Sequence, residues 1–255
     1  MIIYENEHSF IMISQHDHAK ISGEIAQNWR DDFFNGIERK EEVVLAIYEH
    51  DRGWIDLDSA PLWNNQEQKP YSFENYPMKA KTTYYKAGID EVAKMNKYAS
   101  LLCSLHFASF FEKESNPIGQ QFLKEEIKRQ QILLKELNIL GEKVEEDNLK
   151  FHLNMLMFCD NLSLYICLNK PGVHKLEEHL FFRNGFSQMF SFANNQRIHA
   201  HWINQETVSL SVFPMKRQLQ VQLEFKEVKK EDIKGNGLEK AYNDTPSSIR
   251  TVTFI

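Results

Sequence analysis

Residues 46–54 read AIYEHDRGW, and the adjacent His50 and Asp51 in this stretch decide how the chain is interpreted. The residues before them follow the spacing of an amphipathic helix, which Gly53 would end. Positions three, four and seven apart share a helix face, so His50 and Asp51 continue the apolar face that includes Ile47. The pair is either a solvated helix end or two ligands directed at one metal ion.

Three more titratable side chains lie on apolar helix faces elsewhere in the chain: His18, His106 and Asp160. A single inward histidine is more often a hydrogen-bonded core residue than a ligand. An unpaired buried aspartate is costly, however, and no Lys or Arg shares these faces to form a buried salt-bridge network. A divalent metal is the simpler neutraliser, and mixed His and Asp ligation suits Mn²⁺, Fe²⁺, Ni²⁺ or Zn²⁺ better than Ca²⁺.

The composition excludes several classes of protein. The 255 residues are 42% hydrophobic and 26% charged, which is typical of a soluble globular protein with a sizeable core. The net charge of −6 argues against nucleic-acid binding. The N-terminal segment does not have the pattern of a signal peptide, and the longest apolar run is too short to span a bilayer. The three cysteines show no CxxC spacing, so we expect reduced thiols in a cytoplasmic protein that binds no membrane.

The hydrophobic spacing predicts a mostly α fold. Helical spacing recurs in five segments, at about 16–29, 41–51, 90–112, 117–140 and 145–168. Period-two alternation near the N-terminus and after residue 199 predicts a small antiparallel sheet that joins the two ends of the chain. We therefore expect a single domain over residues 1–255, with a helical core at about 14–170 and a β-rich C-terminal extension at about 199–255.

Residues 55–87 lack clear periodicity and contain three prolines and several aromatic residues. A connection of this length is unusual in a compact domain unless it has a function or packs on the core. The segment is predicted to be either an aromatic lid over a binding site or an ordered surface loop whose rings pack inward.

The order of His18, the adjacent pair and Asp160 resembles that of the HD-domain superfamily of metal-dependent phosphohydrolases. The segments QHDHAKISGEIAQNW, AIYEHDRGW, YASLLCSLHFASFF and FCDNLSLYICL carry the resemblance and are similar to an uncharacterised bacterial branch described only as a domain of unknown function. The resemblance extends over about residues 10–170. It implies an HD-like helical core in which one metal ion is bound by His18, His50, Asp51 and Asp160.

The resemblance also implies catalytic candidates. His106 matches an additional histidine of dinuclear members, which leaves a second ion open as an alternative. In this sequence RGW stands where HD hydrolases commonly have a small apolar residue, Gly and Lys, so Arg52 is the candidate to stabilise charge on a phosphate. A second ion would need a further ligand, for which the candidates are Asp56, Asp58, His174 and His179.

The implied function is hydrolysis of a small phosphate ester by a metal-activated water, with one divalent transition-metal ion (Mn, Fe, Ni or Zn) as cofactor and a second ion as an alternative. The implied partner is a small phosphorylated substrate. Two other functions stay open. One is an HD-type di-iron oxygenase, which requires two ions. The other is a non-catalytic metal-containing scaffold or sensing protein, whose coordination sphere would be closed.

Overall fold

The computed structural model describes residues 1–255, with 53% of the chain in helices and 16% in strands. The longer helices follow one another along the first two thirds of the chain, and two short helices lie near its end. The nine α-helices are α1 Gln15–Gln27, α2 Lys40–Glu49, α3 Ile55–Ser59, α4 Met78–Met95, α5 Lys97–Ser109, α6 Pro117–Glu136, α7 Lys143–Leu168, α8 Lys230–Asn236 and α9 Leu238–Asp244.

Side-chain caps define where several helices begin. Ser14 caps α1 by accepting a hydrogen bond from the backbone N–H of Asp17 at 3.0 Å. The single helix expected at about 90–112 is wrong, because Asn96 adopts an extended conformation (φ −157°) and separates α4 from α5. Its side-chain oxygen accepts from the backbone N–H of Ala99 at 2.8 Å. Asparagine competes for backbone hydrogen bonds in this way, and the two helices can therefore follow different directions.

The strands form one large sheet and one small hairpin. Six of them are ordered β1-β2-β7-β8-β6-β5 in a curled sheet, while β3 and β4 pair only with each other. All neighbouring strands are antiparallel except β6 and β8, which are parallel. The bounds are β1 Ile2–Glu5, β2 Ser9–Ile13, β3 Trp63–Asn64, β4 Lys69–Pro70, β5 Ala200–Trp202, β6 Thr207–Leu210, β7 Leu219–Lys229 and β8 Ser248–Phe254.

This sheet corrects the predicted fold class. The expectation of a mostly α protein with a small antiparallel sheet is wrong, and the fold is mixed α/β. The reason is β7, an 11-residue strand that pairs with β8 near Leu219 and with β2 near Val228. Because one strand is long enough to pair with both, the N-terminal hairpin and the C-terminal strands become a single sheet. The sequence analysis expects the two ends of the chain to meet in one sheet, but local alternation indicates neither its six strands nor the parallel pairing of β6 with β8.

The helices and the sheet share one apolar core. A cluster of 54 buried residues extends from Ile2 in β1 to Phe254 in β8. The helix α7 packs against α1, α2, α5 and β1, and burying each of its large apolar side chains contributes about 1.5–3 kcal/mol. By length and composition alone α7 could cross a membrane, but 72% of its most apolar window is buried inside the fold. The core helix of a globular protein has the same composition.

Residues 55–87 are ordered and partly helical. They form α3, the hairpin of β3 and β4, and the first half of α4. Trp54, Tyr76 and Tyr85 are buried, and the ring of Trp54 packs edge-on against the other two at 5.4 and 5.7 Å. The rings thus pack on the core, and two of them, Phe73 and Tyr85, also line a cavity described below.

Two glycines bring the segment after the His–Asp pair directly against α4. A Cβ on Gly88 would lie 2.5 Å from the backbone nitrogen of Gly53, and a Cβ on Gly53 would lie 2.3 Å from the carbonyl oxygen of Tyr84. Only glycine at both positions allows this approach. The close contact fixes the turn at residues 52–54, and with it the backbone of the adjacent Asp51, relative to α4.

Candidate metal centre

Four helices bring five predicted site residues together. His18 lies in α1, His50 ends α2, His106 lies near the end of α5, and Asp160 lies in the middle of α7, with Asp51 directly after His50. All five side chains are buried. They form one group, which we call the His/Asp cluster. Helical phase predicts from the sequence that each of them faces inward.

The ligand atoms of the cluster are spaced as the ligands of an ion would be. Nε2 of His50 lies 3.6 Å from Oδ2 of Asp51 and 3.6 Å from Oδ1 of Asp160. Nε2 of His18 lies 2.9 Å from Oδ2 of Asp51 and 3.7 Å from Oδ1 of Asp160. Ligands about 2.1 Å from a shared ion are separated by roughly 3.0–3.4 Å, so these atoms need to move little to bind one.

The two ring nitrogens of His50 have different surroundings: Nδ1 bonds outside the cluster, and Nε2 faces into it. Nδ1 lies 2.7 Å from the carbonyl oxygen of Ile47, which can only accept, so Nδ1 carries the proton. Nε2 is buried and has no hydrogen-bond partner. Buried polar atoms are rarely left without a partner, and metal-binding histidines usually donate their outer N–H in this way.

Ser163 orients His18 in a comparable way. Nδ1 of His18 lies 2.5 Å from Oγ of Ser163, and that hydroxyl donates to the carbonyl oxygen of Asp160 at 2.9 Å. A hydroxyl that donates to a carbonyl can accept from Nδ1–H, and the ring then directs Nε2 of His18 into the cluster, where it is hydrogen-bonded to Oδ2 of Asp51 at 2.9 Å. Ser22 supports the hydroxyl from the other side at 2.8 Å. The sequence analysis did not identify Ser163, although its spacing of three residues from Asp160 was a usable signal.

His106 contributes a second set of ligands. Its Nε2 lies 3.6 Å from Oδ2 of Asp160, and its buried Nδ1 has no hydrogen-bond partner. Burial lowers the pKa of His106 to about 4, so the ring is neutral near pH 7. His50, His106 and Asp160 form one group that could bind a metal, and His18, His50 and Asp51 form another, each with ligand atoms within 4.8 Å of one another.

The electrostatics of the cluster require positive charge. Two buried carboxylates, those of Asp51 and Asp160, face the same point without a Lys or Arg partner. Burial lowers the pKa of His50, but the two carboxylates outweigh burial, and the net pKa is raised. Burial alone would raise the pKa of Asp160, but His50 lowers it below its usual value. A proton on His50 supplies part of the missing charge, and a divalent ion would supply more.

A cavity of about 570 Å³ opens onto the cluster. His18, Asp51, His106 and Asp160 line its inner end, so the candidate ligands can be reached by a small molecule. This volume falls within the range of ligand-binding pockets in proteins. The other lining residues are Gln15, Phe73, Glu74, Met78, Lys81, Tyr85, Ser109, Phe110, Phe111, Glu114, Met157, Asn161, Leu164, Phe181, Ser187 and Gln188.

Arg52 lies apart from this cavity. Its guanidinium donates to Glu49 at 3.0 Å and to Glu91 at 2.6 Å, and the residue is not among those that line the cavity. The predicted contact with a phosphate would require both ion pairs to break. The only positively charged residue of the cavity wall is Lys81, which the sequence analysis did not identify.

The four residues predicted as candidates for a further metal ligand do not belong to the His/Asp cluster. The carboxylate of Asp58 is buried, but it binds the Met1 amino group and accepts from the backbone N–H of Gln15 at 2.6 Å. None of the four belongs to a group that could bind a metal in this structure. The four are Asp56, Asp58, His174 and His179.

Comparison with known proteins identifies a family. Residues 1–230 match the family described as protein of unknown function (DUF3891). The chain belongs to this family. No curated protein and no solved structure matches the chain. The DUF3891 match does not link the chain to the HD-domain superfamily, so that resemblance stays a prediction. The geometry of the His/Asp cluster therefore carries the functional argument.

Proposed function

We propose that the chain is a metal-dependent phosphohydrolase that acts on a small phosphate ester. The observation that carries the proposal is the convergence of buried His and Asp ligand atoms at the inner end of a cavity large enough for a small molecule. Buried carboxylates without cationic partners, reached from solvent through a cavity, are typical of a catalytic metal centre and not of a structural core.

The donor set fits a divalent transition-metal ion. His18, His50, Asp51 and Asp160 would bind it, because two imidazole nitrogens and two carboxylates suit Mn²⁺, Fe²⁺, Ni²⁺ or Zn²⁺. Such an ion, when bound, lowers the pKa of a water molecule and polarises a phosphate oxygen. The hydrogen bonds from Nδ1 of His50 to Ile47 and between His18 and Ser163 would hold the imidazole rings in place for this role.

The alternative within the same fold is a dinuclear centre, which needs a second ion. His106 would bind it together with Oδ2 of Asp160, whose Oδ1 faces His18 and His50 at the first ion. His50 belongs to both groups of ligand atoms, but only its Nε2 is free, so it would bind one ion or the other. A dinuclear centre is compatible with phosphoester hydrolysis and also with the di-iron oxygenase. The cavity favours either enzyme over a scaffold, because a closed coordination sphere would not need access from solvent.

Phosphate release with each metal tests the proposal. The protein is purified without chelator, supplied with Mn²⁺, Fe²⁺, Ni²⁺ or Zn²⁺, and assayed with phenyl phosphate. We expect metal-dependent phosphate release that falls in His50→Gln and Asp160→Asn by more than the 10- to 100-fold typical of losing an outer hydrogen-bond partner. His8→Gln, at an exposed histidine, is the control and should keep full activity. Activity that is absent with every metal, or equal in all variants, would refute the proposal.

A further inference from the structure

We propose that the cavity takes a phosphate ester that carries a second acidic group, and that Lys81 binds that group. This inference rests on the proposed function and adds to it the chemistry of the substrate at the far end of the cavity. Among the residues that line the cavity, Lys81 is the only lysine or arginine.

Lys81 has no partner within the protein. Its ammonium lies within 4.0 Å of no carboxylate, although the charges of Glu74 and Glu114 act on it from a greater distance. Burial lowers the pKa of Lys81, which reflects the loss of water around an unpaired ammonium. The ammonium of Lys81 would therefore bind an incoming anion more strongly than a fully solvated ammonium would. Part of the free-energy cost of removing it from water is already present in the folded protein.

The helix α4 sets the position of Lys81 along the cavity. Met78, Lys81 and Tyr85 line the wall with the three- and seven-residue spacing of one helix face. Tyr85 is the end of this row next to the cluster, because the turn that follows Asp51 packs against α4 at Tyr84 and Gly88. Lys81 therefore lies about one helical turn, ~5.4 Å, farther from the cluster than Tyr85.

This separation is the reason for assigning a second group to the substrate. A phosphate bound at the cluster would not be the anion that meets Lys81, one turn farther along the wall. A substrate with a second anion, either a carboxylate or another phosphate, would meet both. The lack of acidic residues in the first turn of α4 leaves the positive end of its dipole uncompensated, which adds to the attraction for that anion.

The two nearby glutamates do not cancel this attraction. Glu114 accepts hydrogen bonds from the backbone N–H groups of Ser115 and Asn116, at 2.7 and 2.9 Å, which disperses its charge. Glu74 is exposed, so water and salt screen it. Lys81 is thus the group that an incoming anion would pair with.

The cavity wall also carries four phenylalanine rings among its polar side chains. Phe73, Phe110, Phe111 and Phe181 line the cavity, and Phe110 and Phe181 are 55% and 53% exposed. Exposed rings on a cavity wall favour a ligand with a flat or apolar body, because its binding removes them from water. The substrate class is therefore a phosphate ester with an apolar or aromatic body and a second acidic group.

A pair of probes tests the assignment. Phenyl phosphate has one anionic group, and 4-carboxyphenyl phosphate adds a carboxylate at the opposite end of the ring. We expect the wild-type protein to favour the second probe in kcat/KM by about tenfold or more. The preference should disappear in Lys81→Met and be kept at least in part in Lys81→Arg. Lys79→Met, at an exposed lysine two residues away, is the control and should keep the full preference.

Binding separates this inference from the proposed function. Calorimetry with 4-carboxyphenylphosphonate and phenylphosphonate measures the same preference without turnover, so a protein that hydrolyses neither phosphate ester can still be tested. A preference that depends on Lys81 in the binding experiment would support the inference even if hydrolysis fails. Equal affinity for both phosphonates in the wild type would overturn it. An equal loss for both probes in Lys81→Met would also overturn it, because Lys81 would then contact the common group.

Discussion

Nε2 of His50 lies 3.6 Å from Oδ1 of Asp160 and equally far from Oδ2 of Asp51, and it has no hydrogen-bond partner although it is buried. Nδ1 of the same ring donates to the Ile47 carbonyl, so Nε2 is the atom that faces the two carboxylates of the cluster. A bare lone pair in this position would be repelled by the carboxylates, so Nε2 calls for a positive charge there, either its own proton or a metal ion. This relationship is the physical basis of the proposed metal centre.

Metal addition should stabilise the protein through this cluster. An ion at a concentration 100 times its Kd stabilises the folded state by about 2.7 kcal/mol, which corresponds to a rise in Tm of roughly 5–10 °C for a chain of this size. We expect this rise with at least one of Mn²⁺, Fe²⁺, Ni²⁺ and Zn²⁺ in thermal denaturation, and its reversal by EDTA. Asp160→Asn should show no rise, whereas His8→Gln should behave as the wild type. Equal shifts in Asp160→Asn and the wild type would place the ion elsewhere.

Ser163→Ala should weaken metal binding without unfolding the protein. The variant removes the hydroxyl that orients the ring of His18, and loss of such a partner typically costs 10- to 100-fold in metal affinity. Titration with Zn²⁺ against a competing chelator measures the effect. Ser104→Ala is the matched control, because Ser104 is equally buried but bonds to Glu126 and Gln130 of α6 and not to a residue of the cluster. A similar loss of affinity in both variants would indicate general destabilisation instead.

Gly88→Ala should disturb the cluster from a distance. The added methyl would lie 2.5 Å from the backbone of Gly53, so the turn after Asp51 must shift, at a cost of about 1–3 kcal/mol. We expect a lower free energy of unfolding and weaker metal binding. Gly235→Ala, where an added Cβ meets nothing within 4 Å, is the control and should leave both quantities nearly unchanged. Unchanged metal affinity in Gly88→Ala would show that this contact does not position Asp51.

His152 should make the protein less stable in acid. Its Nε2 lies 2.7 Å from the Asn35 carbonyl oxygen and its Nδ1 lies 2.6 Å from the Tyr98 hydroxyl, and burial lowers its pKa to about 4. The unfolded chain takes up this proton near pH 6.5. The neutral, buried form of His152 therefore contributes its full stabilisation of the fold above about pH 6.5. This contribution, on the order of 3 kcal/mol, is lost as the pH falls through 4.

Urea denaturation at pH 7 and pH 4.5 measures this effect. His152→Gln should be less stable than the wild type at pH 7 but should lose less free energy of unfolding between the two pH values. The exposed His8→Gln should lose as much as the wild type. If His152→Gln shows the full acid-dependent loss, then other groups are responsible for it.

The parts of the site that the sequence predicts are those set by helical phase. His18, His50, Asp51, His106 and Asp160 all fall on apolar faces, and all five are buried together. A period of 3.6 residues determines which side of a helix is apolar, so inward polar residues can be recognised without knowing the fold. Helical phase does not predict the residues that meet the cluster from a neighbouring helix, since neighbours depend on packing.

The features that the sequence does not predict have the same origin. Arg52 is predicted to contact a phosphate from its place after the pair in sequence, and in the structure it pairs with Glu49 and Glu91, while Lys81 lines the cavity from α4. The break at Asn96 depends on one side-chain cap, and hydrophobic spacing averages over single residues. The extent of the sheet depends on pairing between β7 and strands far away in the chain, which local alternation does not encode.

The metal content of the purified protein tests the central claim most directly. Plasma mass spectrometry should find at least one divalent transition-metal ion per chain in protein prepared without chelator, and none in His50→Ala and Asp160→Ala that remain folded by circular dichroism. Two ions per chain would support the dinuclear alternative. A wild-type protein that holds no metal after exposure to Mn²⁺, Fe²⁺, Ni²⁺ and Zn²⁺ would contradict the proposed centre.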